Sequence, residues 1–287
     1  MSVVVERDIV YATEGGVELG LDLYRPDVEG PVPVVVFVHG GAWRKGDKAL
    51  GSDTRFPRFA AHGIAVASIN YRLLDQALFP AALHDVKGAI RWLRAHGAEL
   101  GLATERIGLW GATSGAHLAS LAALTQNDPE WEGTTGGPPE TSSAVQAVVH
   151  WFGPVDLVNG AHRSWLEEIL LDPPIEPPLF GAETIDGVVD LARSASPLFR
   201  VSADAPPFLI SHGDRDRVLP RSESEAFHDA LSRAGAQSSL LIVAGAGHED
   251  HAFDSPANLA LIAAFFTAHL APPVLATSPA TAPTPTS

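Results

Sequence analysis

The chain alternates between short, almost unbroken apolar runs and longer segments in which apolar residues recur at helical spacing. The strongest short run, residues 32–38 (VPVVVFV), is apolar and mostly β-branched, the pattern of a central strand covered by helices on both faces. Further strands are expected at 64–70, 107–110, 145–151, 208–212 and 240–243, and helices at about 55–62, 79–100, 114–126, 222–234 and 256–270. Within 79–100, Ala82, Val86, Ala89, Ile90 and Leu93 share a helical face, with charged residues between them. Ahead of this series, 3–12 and 17–25 are extended-looking runs separated by Glu14-Gly15-Gly16, which predicts an antiparallel hairpin. Strand-helix-strand repetition of this kind specifies an α/β, doubly wound and mostly parallel sheet with helices on both faces.

Two stretches interrupt the rhythm. Residues 128–143, rich in Gly, Pro and Thr, are expected to form a surface loop. Residues 157–196 read as a cap-like insertion, with a short helix around 165–171 followed by DPPIEPPLFG, whose prolines prevent regular structure. An insertion between late strands of an α/β enzyme commonly covers the site. The final APPVLATSPATAPTPTS holds five prolines and little apolar bulk, so residues 1–270 are expected to form one domain and 271–287 a disordered tail.

Composition narrows the function classes. A hydrophobic fraction of 46% over 287 residues supports a sizeable core. Nineteen basic against 34 acidic side chains, a formal charge of −15 without a basic run, argues against a nucleic-acid partner. The absence of cysteine removes disulfides, thiolate nucleophiles and Cys-based metal sites. The N-terminus lacks a basic start, apolar core and small-residue cleavage site, so the expected location is cytoplasmic. No apolar run reaches the 18 or more residues of a membrane span; 259–270 is short and interrupted by Thr267 and His269.

The candidate chemistry sits at strand ends. Residues 107–118, IGLWGATSGAHL, read as a strand, a tight Gly-x-Thr-Ser-Gly turn and a helix start, the setting of a nucleophile elbow with Thr113 in place of the usual serine. His39-Gly40-Gly41-Ala42-Trp43 follows the 32–38 strand, PFLISHGDRDRVLP occupies 207–220, and AGAGH occupies 244–248. Taken singly, each has a bland reading as a turn, a capped strand end or a loop histidine. His248-Glu-Asp-His251 also invites a metal reading, but its histidines are three apart after Gly-Ala-Gly, whereas the helical zinc motif needs four.

In this order and context, the motifs resemble the α/β-hydrolase superfamily, specifically the small carboxylesterases with a His-Gly-Gly-x-Trp signature, a group that includes kynurenine formamidase and feruloyl and acetyl esterases. The resemblance spans roughly residues 3–270. It implies an α/β-hydrolase fold with Thr113 as nucleophile, Asp216 as acid and His248 as base. The backbone N–H groups of Gly41, Ala42 and Ser114 are implied as oxyanion donors. Asp214 and His251 are the rivals of Asp216 and His248; the family pattern places the second carboxylate of His-Gly-Asp-x-Asp against the histidine. Trp43 and Trp165 are expected to line the substrate pocket. His117 and Trp110 are read as packing, and Asn70-Tyr71-Arg72 with Phe79-Pro80 as scaffold, with Asp85 pairing Arg72.

The implied substrate is a small-molecule ester, with an apolar or aromatic acyl group suggested by the insertion's apolar residues, and no cofactor or metal is called for. Thr113 leaves three outcomes open. A β-branched residue at the positive φ of an elbow is strained by about 1–3 kcal/mol, and its methyl crowds the attacked carbonyl. The chain is then a slowed esterase, an enzyme with a different outcome such as acyl transfer, or a silent binding protein. Amidase or formamidase chemistry would use the same groups.

Overall fold

The computed structural model describes residues 1–126, 128–137, 140–162 and 173–271. Strands β1 (Val3–Glu14) and β2 (Val17–Pro26) form the expected antiparallel hairpin. They are followed by β3 (Val32–Val38), β4 (Ala65–Ile69), β5 (Leu102–Ala112), β6 (Ala147–Trp151), β7 (Phe208–Gly213) and β8 (Ser238–Val243). All eight join one sheet in the order β1-β2-β4-β3-β5-β6-β7-β8, antiparallel at its β1-β2 and β2-β4 contacts and parallel from β4 onward. This is the α/β-hydrolase arrangement anticipated above.

Alternation along β3 divides the core. Val34, Val36 and Val38 enter one apolar cluster, and Val35 and Phe37 enter the other. Helix α1 (Arg55–Ala60) contributes Phe56 and Phe59 to the second cluster. Helices α2 (Ala81–His96) and α3 (Ser114–Leu124) cover the first with Leu83, Val86, Ile90, Leu118 and Leu121. The short α4 (Pro129–Glu132), α5 (Leu157–Ala161) and α6 (Val189–Ser194) precede α7 (Arg221–Ala234), which adds Phe227 and Leu231 to that face. Helix α8 (Pro256–Leu270) closes the second face with Leu259, Ile262 and Phe266. Among the described residues no helix is long and apolar enough to cross a membrane.

The 128–143 stretch is the expected surface loop over most of its described residues, but it is interrupted by the four-residue helix α4 and anchored from beneath. Helix α4 buries Trp131, while Thr135 and Ser143 are nearly inaccessible. The cause lies on the charged side of α2. Lys87 and Arg91 are fully buried, and both ion-pair with Glu132, at 2.8 and 2.9 Å. Lys87 also donates to the Thr125 carbonyl, and Arg91 to the carbonyls of Glu132 and Thr135. Asp85, on the same helix, pairs with Arg72 as expected. The expected helix around 165–171, including Trp165, and all but the first residue of the 271–287 tail lie outside the described residues.

Candidate active site

Strand β5 ends at Ala112 and α3 begins at Ser114, so the reversal between them is made at Thr113, with φ 48° and ψ −120°. Its N–H is held by the Trp151 carbonyl at the end of β6, at 2.9 Å. Gly115 lets the first turn of α3 sit directly on the end of β3, since a Cβ there would lie 2.1 Å from the Val38 carbonyl oxygen. The half-buried Thr113 side chain faces a cavity at the sheet's carboxyl edge. Its methyl is accommodated by the absence of a side chain at Gly40, where a Cβ would stand 1.8 Å from Thr113 Cγ2.

The loop after β3 approaches the same cavity through three consecutive positive-φ residues: Gly41 (119°), Ala42 (55°) and Trp43 (58°). Two of these are not glycine, so the loop is strained and must be held. Tyr71 stacks on His39 at 4.4 Å and donates its hydroxyl to the His39 carbonyl, the Leu74 N–H binds the Trp43 carbonyl, and Asn70 accepts the Lys48 N–H. The 70–72 scaffold thus supports the strained turn. Among the described residues, the N–H groups of Gly41, Ala42 and Ser114 have no protein acceptor, and all three residues border the cavity. Trp43 also borders it, but is fully buried and packs edge-on against His117 at 5.2 Å.

The third component comes from the loops after β7 and β8. His248 Nδ1 lies 2.7 Å from Asp216 Oδ2, with the carboxylate buried and the imidazole 14% exposed. Asp216 Oδ1 accepts the N–H groups of Val218 and Leu219. Burial alone would push the Asp216 carboxyl pKa up; hydrogen bonds from His212, His248 and the Leu219 N–H override it and hold the group far below the usual carboxylate range. Asp214 instead accepts the Gly245 N–H at 2.6 Å, tying together the acid and histidine loops. His251 is exposed, opens a 3₁₀ turn and is not part of the cavity lining. Phe152, itself at φ 35°, places its ring 5.0 Å from the His248 imidazole.

The cavity these elements enclose has a volume of about 250 Å³. Thr113, Ser114, His248 and the Gly41–Ala42 turn share it with the apolar Pro154, Ile175, Val218 and Leu219 and the charged Lys45 and Glu249. Larger hollows of about 660 and 520 Å³ elsewhere on the surface contain none of these groups. Trp165 lies outside the described residues. Phe152, Pro154 and Glu249 carry no sequence signal for the site, because each reaches it through the convergence of separate strand ends. His212 and Val218 were visible as letters of the acid-loop motif, but not as contacts.

Behind the elbow, His117 and His150 are fully buried. His117 Nε2 donates to the Ala195 carbonyl, and His150 bonds Ser120 and Gly153. Burial lowers their pKa values to about 4 and about 3. A histidine pKa lowered by folding means that the unfolded chain binds more protons, so stability is full above about pH 6.5 and falls as pH drops towards the folded values. Glu223, whose carboxyl burial pushes up, opposes this in part. Urea unfolding is expected to show a loss of about 3–4 kcal/mol between pH 7.5 and 5; equal midpoints at the two pH values would show that these imidazoles are not held neutral.

The BD-FAE family model matches residues 21–231, a span that contains the oxyanion-type loop, the elbow and the acid loop. The chain belongs to the BD-FAE family. Esterase LipC of Mycobacterium tuberculosis (strain ATCC 25618 / H37Rv) is 36% identical over 225 residues, covering 76% of this chain and 53% of LipC. The chain spans little more than half the length of the curated relatives it matches. Among solved structures, a truncated carbohydrate esterase from gut microbiota superimposes with a TM-score of 0.84 at 29% identity, over 93% of this chain and 96% of that one. A propionate-bound thermophilic esterase from the Planctomycetes species Thermogutta terrifontis gives 0.74 at 26%, over 94% and 96%. The family and fold are those the motifs implied, and these relatives are esterases.

Proposed function

We propose that this chain is a carboxylic ester hydrolase in which Thr113 is the nucleophile, His248 the general base and Asp216 the carboxylate that orients it. The observation that carries the reading is the convergence, on one cavity, of a hydroxyl at a strained strand-helix turn, a buried Asp–His pair and three N–H groups without acceptors among the described residues. In this reading, His248 takes the Thr113 proton as Oγ1 attacks the ester carbonyl. The resulting oxyanion is met by the N–H groups of Gly41, Ala42 and Ser114. Collapse expels the alcohol, which receives the proton from His248. Water, deprotonated by the same imidazole, then releases the acid and frees Thr113. Ser114 is almost fully buried, so it contributes its N–H rather than a rival hydroxyl.

The substrate class that fits best is an ester of a short acyl group. The cavity of about 250 Å³ is small, its apolar side is made by Pro154, Ile175, Val218 and Leu219, and the Thermogutta relative was solved with propionate bound. This narrows the apolar or aromatic acyl group expected from composition. With p-nitrophenyl esters, kcat/KM should peak at two to four acyl carbons and fall by about tenfold or more at eight, and His248→Ala should reduce hydrolysis to the buffer rate. Hydrolysis at the buffer rate by both the parent and His248→Ala would assign the fold a silent binding role instead.

A further inference from the structure

Asp216 faces a second imidazole. His212, fully buried at the end of β7, places Nε2 3.2 Å from Asp216 Oδ2, the same oxygen that lies 2.7 Å from His248 Nδ1. His212 Nε2 is also 3.1 Å from the Leu219 carbonyl, and Nδ1 is 2.7 Å from the Ser224 hydroxyl in α7. A carbonyl and a carboxylate only accept, so the network assigns the ring hydrogen to Nε2, shared between them, and leaves Nδ1 to accept from Ser224. The carboxylate therefore has four donors: the Val218 and Leu219 N–H groups on Oδ1, and one imidazole from each side on Oδ2.

We propose that His212 is a positioning residue that acts through Asp216, closing the 213–219 turn from within and drawing charge away from the oxygen that His248 uses. The proposal rests on the reading of Asp216 and His248 as acid and base. Geometrically, the ring links the end of β7 to the far side of its own loop and, through Ser224, to α7, so the carboxylate cannot swing away from His248. Electronically, a hydrogen bond to an anion disperses its charge and weakens its hold on the neighbouring imidazolium. Without the His212 N–H, Oδ2 faces His248 alone, the imidazolium is better stabilised, and it gives up its proton at higher pH. The other ionisable groups around the pair are His150 and Glu223 beside His212, Glu249 next to His248 and Lys45 on the same cavity, and Asp214, Arg215 and Arg217 on the acid loop. All remain unchanged in the variants below.

The test is a set of pH–rate profiles on a short-chain p-nitrophenyl ester for the full chain and for His212→Leu, His212→Gln, Ser224→Ala and His248→Ala, each with a thermal unfolding curve. His212→Leu is expected to lower kcat about tenfold with KM unchanged and to move the acid limb of kcat/KM upward by about half a pH unit. His212→Gln, which restores an N–H donor, should recover most of both changes. Ser224→Ala, which frees the ring to turn, should move the limb in the same direction by less. If His212→Leu does not fold, the Ser224→Ala profile decides. Loss of activity in His248→Ala together with an unmoved limb and kcat in folded His212→Leu, or in Ser224→Ala where that variant decides, overturns the His212 role alone. A His248→Ala protein as active as the parent overturns the acid–base assignment beneath it.

Discussion

Thr113→Ser raises kcat/KM for short-chain esters by about 10- to 100-fold, the equivalent of about 1–3 kcal/mol. The threonine methyl sits against Gly40, within the loop that carries the oxyanion-type donors, and leaves the hydroxyl one narrow choice of rotamer beside the carbonyl it must attack. Serine keeps the oxygen, removes the methyl and is less strained at φ 48°. The same substitution should therefore raise thermal stability slightly, whereas Thr113→Ala should gain stability and lose the hydroxyl chemistry. Steady-state kinetics with paired melting curves on the three proteins check this. Equal kcat/KM for Ser and Thr would mean that the methyl does not limit attack.

The second large effect is on stability. Glu132→Gln is expected to cost about 3–5 kcal/mol, seen as a fall in Tm of about 10 °C. Lys87 and Arg91 are fully buried and share this one carboxylate, which also accepts the Ser143 hydroxyl. Burial by itself would raise the Glu132 pKa; hydrogen bonds from Lys87 and Ser143 and the attraction of both cations reverse this and keep the group ionised. Neutralising it leaves two cations out of water without a counter-charge. Because none of the described residues of 128–143 borders the active cavity, kcat measured well below the new Tm should change little. Calorimetry showing a Tm within a degree or two of the parent would contradict the buried-clamp account.

These two sites mark what was legible in the sequence. Strands β3 to β7 stood out because strands covered on both faces must be apolar, and β3 occupies the predicted span; the edge strand β8, only partly buried, shows instead through its apolar 240–243 run. Strand β5 begins at Leu102, five residues before its apolar run, since Thr104 and Glu105 break the pattern while the pairing with β3 still reaches Leu102. The Glu132 clamp was not legible. Lys87, Arg91 and Glu132 each look like solvent-facing residues, and only tertiary contact across more than 40 positions makes them an interior. The site divides in the same way. The elbow and the Gly-rich turn are backbone devices written in consecutive residues, whereas the second imidazole on Asp216 and the Phe152 ring beside His248 depend on the spacing of three strand ends.

The central claim is that Thr113 is a nucleophile activated by His248. It is tested most directly by intact-mass and peptide-mapping spectrometry after incubation with a fluorophosphonate, on the parent chain and on His248→Ala, Thr113→Ser and Thr113→Ala. The predicted result is one phosphonyl adduct on Thr113, formed slowly in the parent, faster in Thr113→Ser, and absent from His248→Ala and Thr113→Ala. An unlabelled parent, or an adduct on another residue that persists when His248 is removed, would contradict it.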